Sequence, residues 1–443
     1  VDSQIRETLD GVLAHVWQDF DTDGLNSISL PGYIRHGDQL GIHLLKPNQT
    51  VGQLAREMSF PHTTPNTLVA SSEVGGTMFF DISRVREQNI VGGVRASTRH
   101  YRAGGVIVGF NPTRLRTTRL YSMAAYFPGL SWWSSIRGST DSVEPGDEGR
   151  PRSWTTTVAA ADEQRSSFSR THSLSLSTHW SVTGPDDDRR VFAPLEVSSV
   201  STKPLDWIEH LLVLSHIQDL LSLAYDGFVL ADGGDVALDI TSGNTIHSVP
   251  KLWSADLMER RAGIREPRMT EIPLFQYETV SGIGGLKRWA RLCQEHGRAT
   301  GPLVAKYRIG TSAVESQLND VANAIEYWVN YHRRQKAAWA TATGKKDWQS
   351  KRLARHVGES FEQFVGDIEV WGNRFWDRYG DLKHDSSLNY DANEIYLLAE
   401  TGRILLACAL LNRIALTKMP ARVLCQSHRT NRLGTAVRKL LGT

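Results

Sequence analysis

Arg378 and His384 stand six positions apart, with five residues between them, in residues 371–385, W-G-N-R-F-W-D-R-Y-G-D-L-K-H-D, between two strongly helical segments. A guanidinium is a permanent cation, and an imidazole titrates near neutrality. Together they can stabilise a phosphorane and move a proton, which is what phosphodiester cleavage without a metal requires. Asp377, Tyr379 and Asp381 lie beside or within the pair and could support it. Each group also has a plainer use. An Arg here could be buried against a carboxylate such as Glu326, and the His could be a bystander in a loop.

Projection at about 100° per residue puts Arg378 roughly 20° from Trp371, on the apolar stripe of its helix. A guanidinium there needs a partner, a groove or a second chain, because burying it alone is costly. On an unbroken helix Arg378 and His384 would diverge by about 120°. Gly380-Asp381 is read as a break that returns the imidazole to the Arg. Alternatively, two copies could pool their pairs across a dimer axis.

Before and through this stretch, Leu353, Val357, Phe361, Phe364, Ile368, Trp371 and Phe375 recur at spacings of three and four and predict one long amphipathic helix. Asp391-x-x-Glu394 predicts a capping box for a helix apolar all round over 395–414, ended by Pro420. Ser312-x-x-Glu315 predicts another, opening a helix that carries Val314, Leu318, Val321, Ile325 and Val329. No strand signal follows residue 310, so 310–443 is expected to be an all-α bundle.

The first part of the chain has a different texture. Residues 2–19 carry Ile5, Leu9, Val12, Leu13, Val16 and Trp17 and predict one amphipathic helix. Beyond Leu30, alternation predicts a hairpin turning at His36-Gly37-Asp38, then strands at 66–71, 77–82, 89–94, 105–110 and 120–127. Gly pairs at 75–76, 92–93 and 104–105 mark turns or bulges, and antiparallel pairing is expected. Residues 138–152 and 183–190 are polar and turn-rich, the first read as a surface loop, with one or two strands between them. Pro204 is placed in the first turn of a helix running to Gly227, on which His210 and His216 are solvated or at the edge of the core. Residues 282–285, G-I-G-G, lack the pattern of a phosphate loop and read as a turn before a further helix with Leu286 and Trp289. The fold class is therefore α+β in two domains: a β-rich 1–309 with added helices, and the bundle 310–443.

Composition is that of an ordinary globular protein, 40% hydrophobic and 22% charged over 443 residues. No run of eighteen apolar residues exists, and the first residues lack a basic-then-apolar secretory pattern, so a cytoplasmic setting is expected. Cys293, Cys408 and Cys425 are far apart and odd in number, which suits a reducing compartment and suggests no metal site. The net charge of +2 hides an asymmetry: eight basic residues and no acidic one follow Glu400. A second basic block spans 333–355. These favour a polyanionic partner, with Arg333, Arg334, Lys383, Arg422 and Arg429 as candidate contacts.

Arg378-Tyr-Gly-Asp-Leu-Lys-His384, the apolar helix after it, and A-I-E-Y-W at 324–328 resemble the ApeA-like branch of the HEPN superfamily. Those helical bundles carry an R-x4–6-H motif just before an apolar last helix. G-Y-I-R-H-G-D-Q-L-G-I-H-L, I-V-G-G-V-R, F-P-G-L-S-W-W and K-P-L-D-W-I-E-H-L-L-V-L are similar to the ApeA N-terminal domain. The resemblance implies an anti-phage protein acting in abortive infection, with a metal-independent RNA endonuclease in its HEPN domain. In that chemistry the RNA 2′-hydroxyl attacks its own phosphate, leaving 2′,3′-cyclic phosphate and 5′-hydroxyl ends. His384 would be general acid or base, Arg378 would stabilise the phosphorane, and two protomers would build the site. The resemblance further implies RNA as substrate, with tRNA one candidate, a homodimer, a phage-derived trigger at the N-terminal domain, and no cofactor. Tyr379 stands where the superfamily usually has Asn, Asp or His.

Two other readings compete. One is a non-catalytic HEPN bundle that only dimerises or binds. The other treats Trp132, Trp133, Trp154 and Trp180 as a carbohydrate-type surface, although tryptophans on strands usually belong to the core.

Overall fold

Along residues 12–17 burial alternates, with Val12, Ala14 and Val16 inward and Leu13 76% exposed, so this segment is a strand and not the end of a helix. The computed structural model describes residues 3–17, 20–21, 24–25, 29–37, 39–46, 64–90, 96–146, 150–185, 188–240, 249–268, 271–384 and 391–442. The helix expected over 2–19 is thus a short α1 (Ser3–Asp10) followed by β1 (Val12–Trp17). Period-two burial overrides the helical spacing because this segment is needed in a sheet.

Two compact units partition the chain. The first comprises residues 1–128, 137–215 and 230–259 and is β-rich. After the short ribbon of β2 (Phe20–Asp21) and β3 (Gly24–Leu25) come β4 (Leu30–His36), β5 (Leu40–Lys46), β6 (Thr67–Ser72), β7 (Gly75–Ile90) and β8 (Ala96–Phe110). Pairing runs β8-β5-β4-β1-β6-β7 and closes because β7 also pairs with β8, all antiparallel. This is a closed barrel, which leaves its six strands without a free lengthwise edge. Ile34, Ile42, Leu44, Leu68, Phe79, Val106 and Val108 fill its core, with Ile5 of α1 packed on them. The expected strand 89–94 is described only to Ile90; its remainder and the Gly92–Gly93 pair lie outside the described residues.

A second antiparallel sheet contains β9 (Leu115–Tyr126), β12 (Gln164–Ser167), β13 (His172–Thr178), β16 (Leu195–Leu205) and β17 (Val236–Ile240), in the order β12-β13-β16-β9-β17. The expected surface loop 138–152 is instead a hairpin of β10 (Ser139–Pro145) and β11 (Pro151–Val158), exposed along almost its whole length. β14 (Ser181–Thr183) and β15 (Arg190–Phe192) form a second small ladder across the polar 183–190. β18 (Lys251–Ser254) pairs with β8. Pro204 lies in β16, and the helix expected to include it begins at Trp207. On that helix His210 is wholly buried, not at an edge, with one ring nitrogen 2.9 Å from Ser199 Oγ and the other 3.0 Å from the Leu120 carbonyl. Burial in this sheet lowers its pKa.

The second unit comprises residues 129–136, 216–229 and 260–443 and is helical. Its short α2 (Leu130–Ser134) carries Trp133, whose indole donates to the Phe275 carbonyl at 2.7 Å. The helix Trp207–Tyr225 is α3, and α4 (Ala255–Met258) belongs to the first unit. From there the bundle runs α5 (Gly282–Glu295), α6 (Gly297–Arg308), α7 (Val314–Arg334), α8 (Gln349–Val357), α9 (Glu359–Val365), α10 (Ile368–His384), α11 (Ala392–Ala415), α12 (Met419–Gln426) and α13 (His428–Leu441). α5 and α6 pack within this unit, so the compact bundle begins before residue 310. G-I-G-G is the first turn of α5 and not a separate turn.

Three expectations about helix ends change. The apolar run 353–375 is α8, α9 and the start of α10, cut at Gly358 and Gly366, whose φ values of +98° and +92° glycine adopts without strain. α7 begins after Ala313, and no side chain caps it, so Ser312 closes no capping box. α11 ends at Ala415 with Leu416 in the left-handed region, and Pro420 opens α12 instead of ending α11. α11 is buried over most of its length and packs against α7, α8, α12 and α13.

Candidate active site

α10 starts because Asp367 accepts from the backbone N–H of Glu369 at 2.7 Å and of Val370 at 3.0 Å. Ile368, Trp371, Gly372, Phe375 and Tyr379 form its buried face. Trp371 donates its indole N–H to Thr401 Oγ1 of α11 at 2.9 Å, which ties the two helices together. Arg378, one residue short of the buried Tyr379, lies at the rim of that face with its side chain 25% exposed.

Arg378 is held from two sides. Its Nε donates to Glu394 Oε1 at 2.9 Å, and its Nη1 donates to Asp381 Oδ2 at 2.9 Å. The hydrogen bond to Glu394 contributes most to raising its pKa above the ordinary arginine value. Glu394 is buried, in the first turn of α11, and Arg374 donates to the same carboxylate oxygen. Asp391 caps α11 by accepting from Asn393 N–H at 2.9 Å, while Glu394 serves the two arginines. The partner expected for Arg378, Glu326, is therefore replaced by Glu394. The signal for it was a carboxylate in the first turn of an otherwise apolar helix.

α10 continues unbroken through Gly380 to His384, so no kink returns the imidazole to the Arg. Six residues of continuous helix leave Arg378 and His384 about 120° apart around the axis. His384 is exposed at the last position of α10; Asp385 lies outside the described residues. Asp377 is exposed. Tyr379 is buried and donates its hydroxyl to Asn323 Oδ1 of α7 at 3.0 Å, with the Lys383 ammonium over its ring at 5.4 Å.

Asn323 also borders a cavity of about 430 Å³ along α7, lined by Glu326, Tyr327, Arg333 and Arg334 and by Arg298 of α6. The Arg298 guanidinium sits 5.3 Å from the centre of the Tyr327 ring. Three arginines face a single carboxylate here, an arrangement that favours an anionic chain. Glu326, Arg333 and Arg334 are candidates from the sequence alone, whereas Arg298, on another helix, carries no sequence signal that links it to them. Arg422 is exposed on α12. Arg429 is not free for a ligand: it donates to the Tyr225 carbonyl at 3.1 Å and pairs with Asp226 and Glu271. Arg355, in the basic block 333–355, is likewise taken up by Asp347 and Glu369.

Among the described residues one cluster has metal-ligand chemistry, His179, Glu196 and Asp235 in the β-rich unit, with ligand atoms within 4.8 Å of one another. Lys251 Nζ lies 2.7 Å from Asp235, and Tyr126 donates to the same carboxylate. Ser177 donates to Glu196 at 2.8 Å. An ammonium thus already supplies the positive charge that a cation would bring. Among the described residues no helix is long and apolar enough to cross a membrane.

Residues 320–420, within the helical unit that carries α10 and the apolar α11, match the family Apea-like HEPN. Residues 20–289 match ApeA N-terminal domain 1, more than half of the chain. The chain therefore belongs to the ApeA family. No curated protein matches it, and no solved structure does.

Proposed function

We propose that this protein is a metal-independent endoribonuclease of abortive anti-phage defence. The observation that carries the reading is Arg378, fixed by Glu394 and Asp381 at the rim of α10, on the same helix as the exposed His384. Beside it runs the arginine-lined cavity of α7, suited to an RNA backbone. In this mechanism the 2′-hydroxyl attacks the adjacent phosphate and the 5′-oxygen leaves. His384 moves the proton, and Arg378 stabilises the phosphorane charge. Because the two side chains diverge on one straight helix, the working site takes Arg378 from one copy and His384 from a second across a HEPN homodimer. The exposed hairpin of β10 and β11, with Val143 and Trp154 outward, is a surface on which a phage-derived trigger would dock.

The test is expression of wild type, Arg378→Ala and His384→Ala with sequencing of RNA ends. Cyclic-phosphate and 5′-hydroxyl ends in wild type alone support the proposal, and equal cleavage by either variant overturns it. A second reading has its own support. Two carboxylates on Arg378 oppose an incoming phosphate, which favours a bundle that dimerises without cleaving. Under that reading the purified protein is a dimer that leaves RNA intact in the presence of phage components.

A further inference from the structure

At the opposite end of α11 from Glu394, a cavity of about 380 Å³ opens between α7, α8 and α11. Its walls combine aromatic and basic groups: Trp328 and His332 of α7, Trp339, His356 of α8, Arg413 of α11 and Lys418. Among the described residues no carboxylate lines it. Trp339 and His356 are stacked, with centroids 4.1 Å apart and planes 12° from parallel. His332 tilts against Trp339 at 5.0 Å and meets Trp328 edge-on at 4.6 Å.

Among the described residues neither Arg413 nor Lys418 has a carboxylate in salt-bridge range, whereas Arg374, Arg378, Arg355 and Arg429 all do. Burial, and then the Arg413 charge, holds His332 down to about 4, and burial and Lys418 lower His356. The two imidazoles are thus neutral near pH 7 and available as hydrogen-bonding partners, while Arg413 and Lys418 supply fixed positive charge. Stacked rings beside unpaired cations, in a cavity within the usual size range of small-molecule sites, match a ligand with one flat ring and one compact anion.

We infer that this cavity is a binding site for a nucleoside monophosphate, its base adding to the Trp339–His356 stack and its phosphate resting on Arg413 and Lys418. The site lies apart from Arg378 and His384 and does not depend on the nuclease reading.

Titration calorimetry of the full chain with adenosine 5′-monophosphate tests it, with adenosine and inorganic phosphate as separate arms. The expected result is one site per chain, with each fragment binding at least tenfold more weakly than the whole. Arg413→Glu, at an exposed position, should weaken binding at least tenfold with at most a small fall in melting temperature, and Trp339→Ala should weaken it tenfold through loss of the ring. Unchanged affinity in Arg413→Glu overturns the inference. So does tight binding of phosphate alone, which would make the site a simple anion hole. Binding of a single-stranded RNA lacking a terminal phosphate, with no binding of the mononucleotide, also overturns it and would assign the cavity to an RNA path.

Discussion

The two ends of α11 are built from the same kinds of residue and use them in opposite ways. At its N-terminal end the buried Glu394 gathers Arg374 and Arg378, and Asp381 closes on the second arginine. At its C-terminal end Arg413 and the nearby Lys418 face aromatic rings and no carboxylate. The helix dipole favours both placements, an anion in the first turn and a cation in the last. What differs is burial. A carboxylate sunk among helices must be paired, and its partners are then fixed in place; cations at an open rim can wait for a ligand.

Truncating each end should expose that difference. Removing one partner from a buried ion pair costs about 3–5 kcal/mol when the other is left uncompensated. Glu394→Ala leaves Arg378 with Asp381 and Arg374 half exposed, so a loss near the lower bound, about 3 kcal/mol, is expected by urea unfolding. Arg413→Ala should change stability by less than about 0.5 kcal/mol. Equal losses at the two ends would remove the contrast.

Between the ends, the close approach of helices fixes where each lies. At Gly402 an added Cβ would come 2.6 Å from Phe375 of α10 and 2.9 Å from Val321 of α7. Gly402→Ala must push α10 or α7 away from α11, at a cost of about 2 kcal/mol. Because α10 carries Arg378 and His384, the proposed RNA cleavage should fall in the same variant, while the proposed mononucleotide binding at the other end stays intact. If both fall together, or neither does, the ends are not positioned separately.

How much of this could be read from the chain follows from the kind of signal involved. Period-two alternation in β4–β8 and the apolar α11 are properties of neighbouring residues, and they were legible. R-x5-H was legible as spacing, but its geometry was not. Gly380 looked like a break and is ordinary helix, whereas Gly358 and Gly366 looked incidental inside an apolar run and are the true breaks. The apolar spacing persists across them because all three helices pack on one core, so periodicity alone cannot see the turns. Glu394 was legible as a cap residue; its role as the anchor of Arg378 depends on α10 and α11 lying side by side. Arg429 shows the converse. A basic tail without acids appears free in sequence, yet its partners, Asp226 and Glu271, lie far upstream.

A further small effect concerns protons. An unfolded histidine titrates near 6.5, while His332 in the folded chain is held to about 4 by burial and by Arg413, His356 and His296. Above pH 6.5 the group is neutral in both states and contributes nothing to the pH dependence. Between 6.5 and 4 the unfolded chain binds a proton that the folded chain does not, so stability falls as pH falls through this window. His332 is only half-buried, and solvent screening cuts the effect to under about 1 kcal/mol between pH 7 and pH 5. The β-rich unit contributes a similar slope, since His172 is also held to about 4 by burial. The slope of wild type alone therefore identifies nothing, and the comparison must be with His332→Gln. That variant should lose less stability on acidification, by urea midpoints at pH 7 and pH 5. Parallel losses would mean that the aromatic end of α11 is open enough for His332 to titrate as it does in water. An anion seated on Arg413 would remove the largest charge that opposes protonation, so saturating mononucleotide should flatten the wild-type curve toward that of the variant.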